Sequence, residues 1–95
     1  MALLSEQELD RRLATSAWER TSEGGSVAIA REWRLADFAA AVAFVDRVAE
    51  QAEQANHHPD ILLHGWNRVR LTLSTHSQGG VTDADLEMAA RIDAL

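Results

Sequence analysis

Two adjacent imidazoles, His57 and His58, are closed by Pro59, and a third, His76, ends a run in which polar and apolar residues alternate. Imidazole has a reference pKa near ~6.5 and is the side chain best suited to give and take protons at neutral pH. The trio therefore points to acid/base chemistry. A fourth histidine, His64, sits beside Gly65 and reads as an ordinary surface or satisfied residue. Zinc is the obvious competitor, because three histidines with one open position can make a catalytic site. Adjacent residues in extended chain point in opposite directions, and no His-x-x-x-His pair is present, so no metal is expected. Nucleophilic Ser-His-Asp chemistry is not supported either. There is no Gly-x-Ser-x-Gly elbow, and Ser74 reads as a strand hydrogen-bonder.

The elements that must position these residues can be read from capping and periodicity. Ser5 and Glu8 form a capping box with Leu4 and Leu9 as its staple, which predicts a helix over 6–16 burying Leu9 and Leu13. Residues 18–21, the turn-rich Ser22 to Ser26 and the alternating Val27, Ile29, Arg31, Trp33 and Leu35 predict a β-hairpin. Arg31 breaks the alternation and suggests an edge or partly wet position. From Ala36 the period turns helical, with Phe38, Val42, Val45, Ala49 and Ala52 as the buried stripe, widened by Phe44 and Val48. That helix, over 36–55, must end before Pro59, which lacks an amide hydrogen and disfavours helix at His58.

A short extended piece from Asp60 to Leu63 and a longer strand over 66–75 follow. Val69, Leu71 and Leu73 point one way, while Arg68, Arg70, Thr72, Ser74 and His76 point the other. Gln78-Gly79-Gly80 breaks the strand. Thr82 and Asp85 form a second capping box, with Val81 and Leu86 as its staple, opening a helix over 83–94 that buries Leu86, Ala89, Ala90 and either Ile92 or Leu95. The predicted class is α+β: a two-layer sandwich, a four-stranded antiparallel sheet with three helices on one face, forming a single domain over 1–95.

Composition bounds the function. Nine basic against fifteen acidic residues give net charge −6, which repels phosphate backbones and anionic lipid, so neither nucleic acid nor membrane is an expected partner. The longest apolar run, Phe38 to Val45, is far short of the ~20 residues needed to cross a bilayer. Met1 to Asp10 has no basic stretch ahead of an apolar one, as a secretory signal would. No cysteine is present, which removes disulfides, Cys-based zinc and thiol chemistry and favours an intracellular, cytoplasmic setting.

The spacing of these residues resembles the signature of the pterin-4a-carbinolamine dehydratases, also called 4a-hydroxytetrahydrobiopterin dehydratases. That signature is an acidic residue, three residues, His-His-Pro, five or six residues, an aromatic, nine residues, His, at least eight residues and Asp. Here it runs Glu53, His57-His58-Pro59, Trp66, His76 and Asp85, and Leu71 to His76 and Phe38 to Glu53 are also similar to the family. The departures are the longer loop from Asp60 to Gly65, and Trp66 in place of the commoner tyrosine; Ile61 and Leu62 stand where an aromatic often follows the proline.

The resemblance implies dehydration of a 4a-hydroxytetrahydropterin to the quinonoid dihydropterin and water, recycling the cofactor of aromatic amino-acid hydroxylases. It implies His57 and His76 as the acid/base pair and His58 as a pterin-orienting group able to serve as base. Glu53 would orient a histidine; His57, one helical turn on, is within its reach. Asp85 would cap the Thr82 N–H and stand beside His76. Pro59 would shape the loop. Trp66 is read first as structural support and second as a pocket wall, while Ser74, Thr75 and Ser77 would offer hydrogen bonds to the pterin's amide-like edge. No cofactor is required, and a homodimer or homotetramer with a functional link to a hydroxylase is implied. The alternative is a protein-binding module on the same fold, because family relatives serve as dimerisation partners of a liver homeodomain transcription factor or assist assembly of a carbon-fixing enzyme. Retention of three imidazoles and the aspartate at these spacings favours the enzyme.

Overall fold

The computed structural model describes residues 2–22 and 25–95. Elements follow in the order α1 (Glu6–Leu13), β1 (Glu19–Thr21), β2 (Ala28–Arg34), α2 (Phe38–Ala55), β3 (Asp60–His64), β4 (Arg68–Leu73), a 3-10 turn (His76–Gln78) and α3 (Asp83–Asp93). The four strands form one antiparallel sheet in the order β1-β2-β4-β3. This is the α+β sandwich expected from the sequence. Glu23 and Gly24 of the expected hairpin turn lie outside the described residues.

Alternation along β4 divides the layers. Val69, Leu71 and Leu73 are fully buried against the helices, and Arg68, Arg70 and Thr72 face away from them. Register then places Ile29, Arg31 and Trp33 of β2 opposite Leu73, Leu71 and Val69, on the helix side of the sheet. Trp18, Trp33 and Phe44 pack as an aromatic row: the Trp18 and Trp33 centroids are 5.6 Å apart edge-on, and Trp33 and Phe44 5.0 Å apart. Arg31 is on a central strand rather than an edge. It is half-buried, stacks over Trp33 at 4.6 Å and meets Asp93 at 2.7 Å, which lets a cation sit beside the core.

Two helix boundaries and two buried faces differ from expectation. Helix α1 stops at Leu13, and Ser16 Oγ instead accepts the Trp18 N–H at 3.0 Å, turning the chain toward β1. Helix α2 begins at Phe38 because Asp37 caps it, accepting the Ala40 N–H at 2.7 Å. Its core face is Ala41, Phe44, Val48 and Ala52, whereas Phe38, Val42 and Ala49 of the expected stripe are exposed. Both faces of this helix are apolar, so periodicity alone could not choose between them. Ala90 of α3 is likewise exposed, as is Leu95, while Ile92 is buried as one of the expected alternatives and Met88 takes a further buried position.

The strand expected over 66–75 is shorter at both ends. Gly65 and Trp66 both have positive φ, 56° and 62°, and with Asn67 make the three-residue turn between the paired His64 and Arg68. Trp66 is consequently 60% exposed at the hairpin tip and supports no core, which corrects its first reading. A bulky side chain in this backbone region is uncommon. The strand ends at Leu73, and His76 leads the 3-10 turn instead of closing the polar strand face.

Candidate active site

The site is assembled where α2 ends and α3 begins. Asn56 takes the left-handed conformation, φ 49°, and closes α2 in a Schellman arrangement: the His57 N–H donates to Ala52 O at 3.1 Å and the Asn56 N–H to Glu53 O at 3.3 Å. The backbone of His57 is thereby fixed to the helix end. Pro59 then holds the chain extended into β3.

Asp85 sits at the third position of α3 and is fully buried. Its Oδ2 accepts the Thr82 N–H at 2.9 Å, completing the capping box, and the Thr75 hydroxyl at 2.8 Å. Its Oδ1 lies 2.5 Å from His57 Nε2. The Thr75 and Thr82 hydroxyls are themselves 2.8 Å apart, and the Ala84 N–H donates to Thr82 Oγ1 at 3.3 Å. A carboxylate in the protein interior is thus held by several donors, as burial of a charge requires.

Two expected pairings are exchanged. Asp85 faces His57 rather than His76, because its donors Thr75 and Thr82 turn it inward toward the end of α2, while His76 begins an exposed turn. Glu53 reaches His58 Nε2 at 3.0 Å rather than His57, because the left-handed Asn56 redirects the chain and brings the second imidazole back to the helix. The Glu53–His58 pair is largely exposed and contributes little to stability.

Among the residues expected to meet a pterin, Thr75 and Ser74 are buried and already engaged. Ser74 Oγ lies within donating distance of Val27 O (3.1 Å) and Gly80 O (3.3 Å), tying β4 to its flanking loops. Thr75 also commits its backbone, its N–H to Gly80 O and its C=O to the Gln78 and Gly79 N–H groups. Ser77 is exposed beside His76, and Pro59 is half-buried. Trp66 lies at the opposite end of β3 from Pro59, so within one chain it does not wall the site. Thr82 was missed as a member of the site; its signal was the capping box, which already placed its N–H on Asp85. Among the described residues, no three or more His, Asp or Glu side chains gather as metal ligands.

In this sandwich two adjacent histidines follow the end of the second helix, and one of them is bound to a buried aspartate in the first turn of the third. The sequence profile of the family described as "Pterin 4 alpha carbinolamine dehydratase" matches residues 2–95, and the chain belongs to this family. A Gloeobacter violaceus protein provisionally named pterin-4-alpha-carbinolamine dehydratase 2 is 50% identical over 93 residues, covering 97% of this chain and all of the relative. The crystal structure of a transcriptional coactivator/pterin dehydratase from Brucella melitensis superposes with a TM-score of 0.85 at 38% identity, covering 97% of this chain and 96% of the other. A pterin dehydratase-like protein identified as a RuBisCO assembly factor in the alpha-carboxysome superposes with a TM-score of 0.69 at 25% identity, covering 84% of this chain and 89% of the other. Among the described residues, no helix is long and apolar enough to cross a membrane.

Proposed function

We propose that this chain dehydrates a 4a-hydroxytetrahydropterin to the quinonoid dihydropterin. The observation that carries the reading is the His57–Asp85 pair at 2.5 Å, set on a carboxylate that also binds Thr75, the residue immediately before His76. One aspartate thereby links the two segments that present the paired histidines. In the reaction, an acid protonates the C4a hydroxyl as its C–O bond breaks and water leaves. A base removes the N5 proton, and the N5 electron pair forms the new C4a=N5 double bond. Atoms and charge balance with two proton transfers. His57 and His76 serve as the acid/base pair, and His58, turned toward Glu53, orients the ring.

The setting is cytoplasmic, the upstream reaction is that of an aromatic amino-acid hydroxylase, and copies of the chain associate as a dimer or tetramer. The exposed apolar stripe of Phe38, Val42 and Ala49 on α2 supports association. The RuBisCO assembly factor with the same fold motivates the competing reading of a protein-binding module. The test is a hydroxylase-coupled assay in which decay of the carbinolamine is followed spectroscopically. Acceleration in proportion to added protein is expected; decay at the spontaneous rate at every protein concentration would leave the binding-module reading.

His64 marks the limit of the machinery. Its Nε2 meets Glu32 Oε1 at 2.9 Å on the helix-free face of the sheet, at the far end of β3 from Pro59. His64→Ala is expected to keep turnover within about threefold of the parent, as substitutions away from a site usually do. A collapse in the same assay would place a further catalytic group in the departing loop.

A further inference from the structure

The hydrogen bonds around Asp85 have a direction. An ionised carboxylate only accepts, so each of its three partners must donate. Thr82 contributes a backbone N–H with no alternative polarity, and Thr75 has a single hydroxyl proton to give. With that proton on Asp85 Oδ2, the 2.8 Å contact between the two hydroxyls leaves Thr82 to donate to Thr75, and the Ala84 N–H donates to Thr82 in turn. Both donors from the β4–α3 segment fall on Oδ2. Oδ1 therefore faces the imidazole at Nε2, and that nitrogen carries the hydrogen.

We propose that Thr75 is a positioning residue of the site: its hydroxyl locks the Asp85 carboxylate so that Oδ1 fixes His57 in the Nε2–H tautomer. The Nδ1 atom of His57 is then the one that exchanges a proton with substrate. This rests on the dehydratase reading for its kinetic consequence, but not for the tautomer itself. Thr75 belongs to the scaffold beneath the histidine instead of the pterin surface. Its burial, 7% exposed, and its fully committed backbone agree with that assignment. Neutral His57 accepts a proton at Nδ1 and the imidazolium returns it from the same atom, so one side chain serves either direction without reorienting. Without the Thr75 hydroxyl, the carboxylate loses a donor on Oδ2 and is held less firmly, and the imidazole samples both tautomers.

The test compares the parent with Thr75→Val, which keeps the shape and removes the donor, and Thr75→Ser, which keeps the donor. Imidazole nitrogen NMR of the folded proteins reads the His57 tautomer directly. The parent and Thr75→Ser should show the Nε2–H form, and Thr75→Val a mixture. In the carbinolamine assay, kcat of Thr75→Val should fall about ten- to a hundredfold with KM little changed, the range lost when a ligating histidine loses its orienting partner. Thr75→Ser should restore it. Parent protein with His57 in the Nδ1–H form overturns the proposal even if the valine variant does not fold. So does Thr75→Val with parental tautomer and kcat. A protein inactive on the carbinolamine but with the expected tautomers would refute the dehydratase reading and leave this one standing.

Discussion

Asp85→Asn is expected to lose turnover by about 10³ to 10⁴ while the protein still folds. The amide has nearly the shape of the carboxylate but offers one acceptor and one donor where Asp85 offers two acceptors. The Thr82 N–H and the Thr75 hydroxyl need an acceptor at the Oδ2 position, so the amide oxygen stays there and the NH₂ group turns to His57. His57 Nε2 must then accept, its proton moves to Nδ1, and the reacting nitrogen is the wrong one. In Ser-His-Asp triads this tautomer change costs about 10⁴ in turnover. Stability should fall by about 1 to 3 kcal/mol, from loss of charge-assisted hydrogen bonds and of negative charge in the first turn of α3. Kinetics paired with denaturant unfolding checks both quantities, and parental turnover in Asp85→Asn would remove the carboxylate from the mechanism.

Loss of a single imidazole is the second large effect. General acid or base help from one side chain contributes about 10² to 10⁴ in rate, equivalent to about 3 to 5 kcal/mol of barrier. His57→Ala should lose kcat within that range. The same substitution strands a buried acceptor at Asp85 Oδ1, so a modest loss of stability should accompany it. His58→Ala should differ in kind. Its ring is exposed and paired only with an exposed Glu53, so the variant should raise KM more than it lowers kcat. Steady-state kinetics of the two variants separates these roles, and equal losses in kcat from both would erase the distinction.

Local signals made much of the fold legible. The N-cap at Ser5 and the capping box at Thr82 marked the helix starts, the Val69-Leu71-Leu73 alternation the buried face of the sheet, and Pro59 the end of α2. Each depends on neighbours within a few residues. The same holds for the histidine and aspartate spacings, which carried the family resemblance that the sequence profile bears out. The pairings inside the site were not legible. Whether Asp85 meets His57 or His76 depends on how the start of α3 lies against the end of α2, and three segments distant in sequence decide it. Glu53 was misassigned for a smaller reason. One left-handed residue, Asn56, rotates the two imidazoles relative to the helix. Trp66 was read into a strand because aromatic residues favour strands, but the three-residue turn between β3 and β4 takes positive φ at its position, and the pairing of the two strands overrode local preference.

The central claim is that His57, held by Asp85, and His76, which follows the Thr75 bound to the same aspartate, move the protons. Its most direct test is decay of the hydroxylase-generated carbinolamine in the presence of the parent, the two single alanine variants at His57 and His76, and the double variant. Circular dichroism is used to confirm each fold. Because spontaneous dehydration proceeds and one partner substitutes in part for the other, the double variant should lose less than the product of the single losses and approach the uncatalysed rate. A folded double variant that retains parental turnover would contradict the account.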